Sequence, residues 1–127
     1  MPDEARFPPV LGDIDNDGEK EIIVGVIGLL YAFNCDGSIV WNVTLKGRYK
    51  VWPYLAVADV NGDGFQEIVV SSGDTLFVLN GSDGSVIWNS TYKLEYLSFP
   101  AIGDLNGDGI LDIIVTGYDG VLAYNGS

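Results

Sequence analysis

The sequence has no histidine, one cysteine and only 6 lysines and arginines in 127 residues. Without histidine there are no histidine-based metal sites, no Ser-His-Asp triad and no Cys-His dyad. Cys35 alone cannot form an internal disulfide, so cysteine usage leaves the redox compartment open. Against the few cations stand 18 aspartates and glutamates, for a formal net charge of -12. A chain this acidic is a poor partner for nucleic acid or an anionic membrane, and a good one for cations. Long hydrophobic runs are also missing. The longest, Ile22 to Phe33, contains Gly25, Gly28 and Tyr31 and reads as two strands and a turn, well short of the roughly 20 apolar residues of a membrane helix. Met1 to Arg6 is polar and acidic and does not read as a secretory signal. No segment carries a capped apolar stripe of period 3.6, so no helix is expected.

What is present is hydrophobic, aromatic and rich in glycine, at 47%, 12% and 17 residues respectively. That content is too high for a disordered acidic tail, and the length suits one compact domain. The chain repeats itself. Asp13, Asp59 and Asp104 open similar segments at spacings of 46 and 45 residues, and each lies 21 residues before an asparagine, Asn34, Asn80 or Asn125. The first two repeats continue alike, Asp36-Gly-Ser-Ile-Val-Trp41-Asn42 matching Asp83-Gly-Ser-Val-Ile-Trp88-Asn89. The third stops at Ser127, before its tryptophan segment.

Each repeat is a series of short strands bounded by Gly, Asn and Asp: an apolar run before the aspartates, a β-branched run after them (Ile22 to Val24, Ile68 to Val70, Ile113 to Val115), then a third, and a fourth carrying tryptophan. About 45 residues with four antiparallel strands is the pattern of a β-propeller blade. The expected fold is therefore all-β, with propeller-type blades of four antiparallel strands in about three repeats, approximately 7–50, 51–97 and 98–127, within a single repeat domain 1–127. Propellers close with 4–8 blades. Three repeats therefore imply an incomplete propeller, a part of a larger chain, or a ring completed by association of copies.

The three loops carry the chemistry. They read Asp13-Ile-Asp15-Asn-Asp17-Gly18-Glu19-Lys-Glu21, Asp59-Val-Asn61-Gly-Asp63-Gly64-Phe65-Gln-Glu67 and Asp104-Leu-Asn106-Gly-Asp108-Gly109-Ile110-Leu-Asp112. Oxygens at positions 1, 3 and 5 point inward in a coiled loop, glycine at 6 permits the sharp turn, a carbonyl at 7 adds a ligand and a carboxylate at 9 closes the shell. Six to eight oxygens suit a hard divalent cation, Ca²⁺ well before Zn²⁺, with Mg²⁺ preferring more water. An EF-hand needs glutamate at position 12 and flanking helices. Position 12 is Val24, Val70 and Val115, and the flanks are strands. The competing explanation is a set of acidic hairpin turns without metal. Three or four carboxylates drawn together with no cation would repel one another, which a bare turn has no reason to accept.

These loops resemble the calcium-binding FG-GAP/VCBS repeats of integrin α-subunit propellers and many secreted microbial proteins, across essentially residues 7–127. The resemblance places each loop between the first and second strands of a blade and implies three Ca²⁺ ions. Asp13, Asp15, Asp17, Glu21 and the carbonyl of Glu19 would hold the first. Asp59, Asn61, Asp63, Glu67 and the carbonyl of Phe65 would hold the second. Asp104, Asn106, Asp108, Asp112 and the carbonyl of Ile110 would hold the third. The family's Phe-Gly…Gly-Ala-Pro signature is only faintly matched, by Phe7-Pro8, Trp52-Pro53 and Phe99-Pro100. The Asp-Gly-Ser…Trp segment is similar to repeats of pyrroloquinoline-quinone-type propellers, which implies blade-docking roles for Trp41 and Trp88 but no quinone. With four carboxylates against three plus asparagine, the first loop is expected to bind tightest.

Four N-x-[ST] sequons occur, at Asn42, Asn80, Asn89 and Asn125. The second and fourth read as turns, while Asn42 and Asn89 are glycan candidates in a secreted protein. Lys46, Arg48, Tyr49 and Lys50 form a small basic stretch, read as a solvated connection. Cys35 has no base beside it and is a poor nucleophile. Asp74 and Asp119 occupy equivalent repeat positions and read as turns. The expected function is a calcium-binding, extracellular or cell-surface repeat module for binding, adhesion or assembly. No catalytic residue is expected, and no partner among nucleic acids or within a membrane. Its ligand, protein or glycan, is not named by the sequence. The alternatives are a fragment of a propeller-fold enzyme, polysaccharide lyase or quinoprotein-like, and a purely structural repeat.

Overall fold

A computed structural model describes residues 9–45, 53–72, 75–91, 100–117 and 120–125. The first sheet contains β1 (Val10–Gly12), β2 (Glu21–Val26), β3 (Leu29–Phe33) and β4 (Ile39–Thr44). The second contains β5 (Tyr54–Ala58), β6 (Glu67–Ser72), β7 (Thr75–Asn80) and β8 (Val86–Thr91). The third contains β9 (Ala101–Gly103), β10 (Asp112–Gly117) and β11 (Gly120–Asn125). Each sheet is an antiparallel meander in chain order, and no helix occurs among the described residues. The repeats are alike in register as well as sequence. Val10 pairs with Ile23 and Ile22 with Phe33, as Ala56 pairs with Val69 and Ile68 with Leu79. The pairing of third and fourth strands slips at the same place in both full sheets, between Ala32 and Phe33 and between Val78 and Leu79.

Period-2 alternation explains how the sheets stack. The middle sheet is apolar on both faces because both are covered: β6 is buried from end to end. Ile68, Val70, Phe77 and Leu79 face the first sheet, where they meet Ile14, Ile23, Leu30, Ala32 and Trp41. Val69, Leu76 and Val78 project the other way and meet Ile113 and Val115 of the third sheet. Among the second strands of the sheets, β6 alone is buried throughout. In β2, buried and half-buried residues alternate, because only one face has a neighbour among the described residues.

Trp41 makes the joint between the first two sheets. Its indole Nε1 donates to the Gly81 carbonyl at 2.8 Å, in a buried hydrogen bond. Its ring lies over Gly84, where a Cβ would come within 2.7 Å of the indole. Gly84 also holds a φ of 75°, so the turn after β7 has two reasons to carry glycine there. Trp88, in the equivalent place on β8, stacks on Tyr124 at 5.1 Å between ring centroids. Both tryptophans thus touch the next repeat, in two different ways.

Asn42 and Asn89 are exposed, as a glycan acceptor must be. The Asn80 Oδ1 instead accepts from the Ser82 amide at 2.9 Å and hydroxyl at 2.7 Å, the turn chemistry expected of it. The basic stretch at 46–50, Asp74, Asp119 and the aromatic residues Phe7, Trp52 and Phe99 lie outside the described residues.

Candidate metal centres

Each acidic loop joins the first strand of a sheet to the second, and the three are built by the same hydrogen bonds. The aspartate at position 1 organises the turn. Asp13 Oδ2 accepts from the Gly18 amide at 2.9 Å, Asp59 Oδ2 from Gly64 at 2.8 Å, and Asp104 Oδ2 from Gly109 at 2.9 Å. Its other oxygen accepts from the amide at position 5, that of Asp17, Asp63 or Asp108. The position-5 aspartate in turn accepts from the position-7 amide at 2.8 to 2.9 Å. These bonds wind the backbone around its own carboxylates.

Two positions in each loop sit at positive φ. Position 6 is Gly18, Gly64 or Gly109, at 89°, 88° and 85°. Position 4 is Asn16 at 66°, then Gly62 and Gly107 at 76° and 75°. Asparagine is among the few non-glycine residues that tolerate this region, which is why the first loop alone can replace glycine there.

The carboxylate at position 9 anchors the floor. Glu21 Oε2 accepts from the buried Ile14 amide at 2.8 Å, Glu67 Oε2 from Val60 at 2.9 Å, and Asp112 Oδ2 from Leu105 at 2.8 Å. Glu21 is 1% exposed and Glu67 3%. One amide for Glu21, and those of Val60 and Asn61 for Glu67, are weak compensation for a buried charge with other carboxylates beside it. Burial pushes both glutamates above the ordinary 4.5, and the neighbouring aspartates push the same way, against the amide bonds that lower them. Asp15 is raised for the same reasons.

A sign follows for the metal-free protein. A folded-state pKa raised above the unfolded one means that the native state takes up protons first, so stability falls as pH rises through that window. With chelator present, the melting temperature is expected to rise as pH is lowered from 7 toward 5. A steady fall over that range would contradict the crowding. Asp36 and Asp83, lowered by the Ser38 and Ser85 hydroxyl and amide bonds, lose their contribution only at more acidic pH.

In the first loop, carboxylate oxygens of Asp13, Asp15, Asp17 and Glu21 all lie within 4.8 Å of one another; in the second, those of Asp59, Asp63 and Glu67 do. Oxygens on opposite sides of a Ca²⁺ ion, each at about 2.4 Å, are about 4.8 Å apart. The donor sets therefore fit a calcium-sized shell. Among the described residues the third loop forms no such group, although its backbone bonds repeat the pattern. The physical difference is one methylene: Asp112 stands where the others have glutamate. With one oxygen tied to the Leu105 amide, its shorter side chain reaches less far toward Asp104 and Asp108. The carboxylates expected as ligands are thus gathered in two loops of three.

Residues 59–115 match the family model of the FG-GAP-like repeat. This stretch is similar to an FG-GAP-like repeat. It begins at position 1 of the second loop and ends on β10, so it takes in the Asp59 and Asp104 loops and the strands between them. The Asp13 loop has the same hydrogen bonds outside the matched stretch. The fold is similar to that in a crystal structure of the V. cholerae biofilm matrix protein Bap1, with a TM-score of 0.68 over 85% of this chain at 21% identity. The match spans 20% of that chain. No curated protein matches in sequence.

The glycines and acids of the three loops were legible in the sequence. The residues that seat the loops were not singled out. Position 2 is apolar in all three, as Ile14, Val60 and Leu105. Ile14 and Val60 are each 1% exposed because the following sheet covers them, whereas Leu105 is 65% exposed. That regular apolar position inside an acidic loop was the available signal. Cys35 lies beside the first loop, its Sγ 3.7 Å from Glu19 Oε2, and the glutamate's charge raises the thiol. That agrees with its exclusion as a nucleophile.

Proposed function

We propose that the chain is a calcium-stabilised β-propeller repeat module that serves binding, adhesion or matrix assembly outside the cell, not catalysis. The observation that carries this is the convergence of three or four carboxylates in each of two loops, one of them a nearly fully buried glutamate. Buried like charges are accepted where a cation will neutralise them. The ligands are those named for each loop above, with carbonyls from Glu19, Phe65 and Ile110. An ion in each loop ties the end of one strand to the start of the next.

The propeller assignment is supported by three alike sheets stacked face to face, with a tryptophan of one sheet closing on the turn of the next. The repeats 7–50, 51–97 and 98–127 would then be blades. The exposed Leu105 marks the face to which a further blade would dock, from a larger chain or from a second copy. The matrix role of Bap1 and the adhesive role of integrin-like repeats are the grounds for an extracellular binding function, with a protein or glycan ligand. Against catalysis stands the commitment of the loop carboxylates to amides and to one another.

Titration calorimetry of chelator-stripped protein tests the assignment. Calcium is expected to fill the first and second loops before the third. Absence of any calcium heat, or the same heats after Asp→Ala changes at position 1 of all three loops, would overturn it. Asp112→Glu is expected to tighten the third site by about tenfold, since reach and ligand geometry set calcium affinity. Unchanged or weakened binding in that variant would remove the one-methylene explanation.

A further inference from the structure

We propose that the first and second loops fill cooperatively, because they share one wall. This rests on the calcium assignment above and goes beyond it. The wall is built from both sides. Gln66, at position 8 of the second loop, lies between Phe65 and Glu67, both proposed ligands. Its side chain reaches back to the first loop: a Cβ on Gly12, the residue before Asp13, would lie 2.9 Å from Gln66 Oε1 and 2.6 Å from Val57 Cγ1. Gly81, in the turn after β7, completes the contact. A Cβ there would strike the Gln66 carbonyl oxygen and come within 2.9 Å of both the Cβ and the carbonyl oxygen of Ile14. Ile14 sits between Asp13 and Asp15, and its amide is held by Glu21 Oε2 at 2.8 Å. The Gly81 carbonyl is itself fixed by Trp41 Nε1 at 2.8 Å.

Ligand-bearing backbone of the first loop thus meets ligand-bearing backbone of the second across Gly81, with no room for even a methyl group between them. An ion in the first loop fixes Asp13, Asp15 and Glu21. Ile14 is thereby fixed too, along with the surface on which Gly81 and Gln66 rest. Ordering of the shared wall is then already complete when the second ion arrives, which gives positive coupling. Ala58 and Leu111 stand where the first pair of loops has Gly12 and Gln66, so the contact of Gln66 with Gly12 has no counterpart between the second and third loops, and the coupling is assigned to the first pair.

The test is a calcium titration of the full chain followed by ¹H–¹⁵N NMR, in which the amides of Gly18, Gly64 and Gly109 report the three loops separately. Asp15→Ala, which disables the first loop, is expected to weaken calcium binding at Gly64 by about tenfold, within the usual 5- to 150-fold range of site coupling. Asp63→Ala is expected to shift binding at Gly18 in the same direction but by less, because the tighter first loop fills while the second is still empty. Gln66→Ala keeps every proposed ligand and is expected to reduce the coupling by removing the side-chain part of the wall, with far-UV circular dichroism showing that the sheets remain. Unchanged affinity at Gly64 in Asp15→Ala would overturn the coupling while leaving the calcium sites standing. No calcium response at any of the three glycines would overturn both.

Discussion

Removal of calcium with chelator is expected to lower the melting temperature of this chain by about 15–25 °C. An ion that binds only the native state stabilises it by about 2.7 kcal/mol when its free concentration is one hundred times the dissociation constant. Two gathered sites at that saturation contribute about 5 kcal/mol together. For a domain of this length, each kcal/mol moves the transition by about 3–5 °C. The contribution is larger than ligand counting alone suggests, because the ions also neutralise buried charge. Glu21 and Glu67 are almost fully covered and lie beside other carboxylates, so the metal-free native state keeps a repulsion that the unfolded chain does not have. Scanning calorimetry with calcium and with excess chelator measures the difference. Asp13→Ala together with Asp59→Ala should reproduce most of the loss seen with chelator and leave only the weaker response of the third loop. Coincident transitions with and without chelator would sink the role of metal in this fold.

The second large effect is expected at Trp41. Trp41→Ala should destabilise the chain by about 3–5 kcal/mol, the range for deleting a large buried aromatic side chain. Three losses coincide there. The indole is 8% exposed and packs in the core between the first two sheets. Gly84 loses the indole that lies against it. The Gly81 carbonyl loses the indole N–H, at 2.8 Å its buried donor. Trp41→Phe separates these contributions, since it keeps most of the packing and removes the donor, and should cost about 1–3 kcal/mol for the unsatisfied carbonyl. Trp88→Ala is the comparison. Trp88 is only half-buried and touches the next sheet by stacking on Tyr124, so its loss should cost less. Urea unfolding of the three variants in saturating calcium gives the order directly. A Trp88→Ala effect equal to that of Trp41→Ala would mean that the two joints carry equal weight, contrary to their geometry.

The difference between the two tryptophans shows where sequence patterns stop being informative. Both sit in the same seven-residue motif, and both were expected to dock one blade on the next. The strand that carries them and its slipped pairing are local properties, and these came out alike. What each indole meets is supplied by another repeat some forty residues away. Gly81 and Gly84 are there for Trp41, and Tyr124 for Trp88. The third loop makes the same point. Its pattern of oxygens is as good as the others when read as letters, because Asp112 and Glu67 both count as carboxylates. In three dimensions, the carboxylates of the Glu67 loop are gathered and those of the Asp112 loop are not, and Asp112 is the shorter by one methylene.

The sequence by itself determined the repeat, its strands, the all-β class and the acidic loops, because each is encoded within a few adjacent residues. Period-2 alternation, glycine or asparagine where φ is positive, and aspartates spaced to turn inward all act over less than ten residues of chain. Only the tertiary structure decided which faces are covered, which carboxylates are buried and how one loop leans on the next. Those depend on contacts between residues far apart in the chain, where a single missing Cβ at Gly12 or Gly81 sets the distance of approach. The net charge of -12 is distributed by both. Local spacing placed eleven of the acids in the loops, and the stacking of the sheets buried Glu21, Glu67 and Asp112 beneath them.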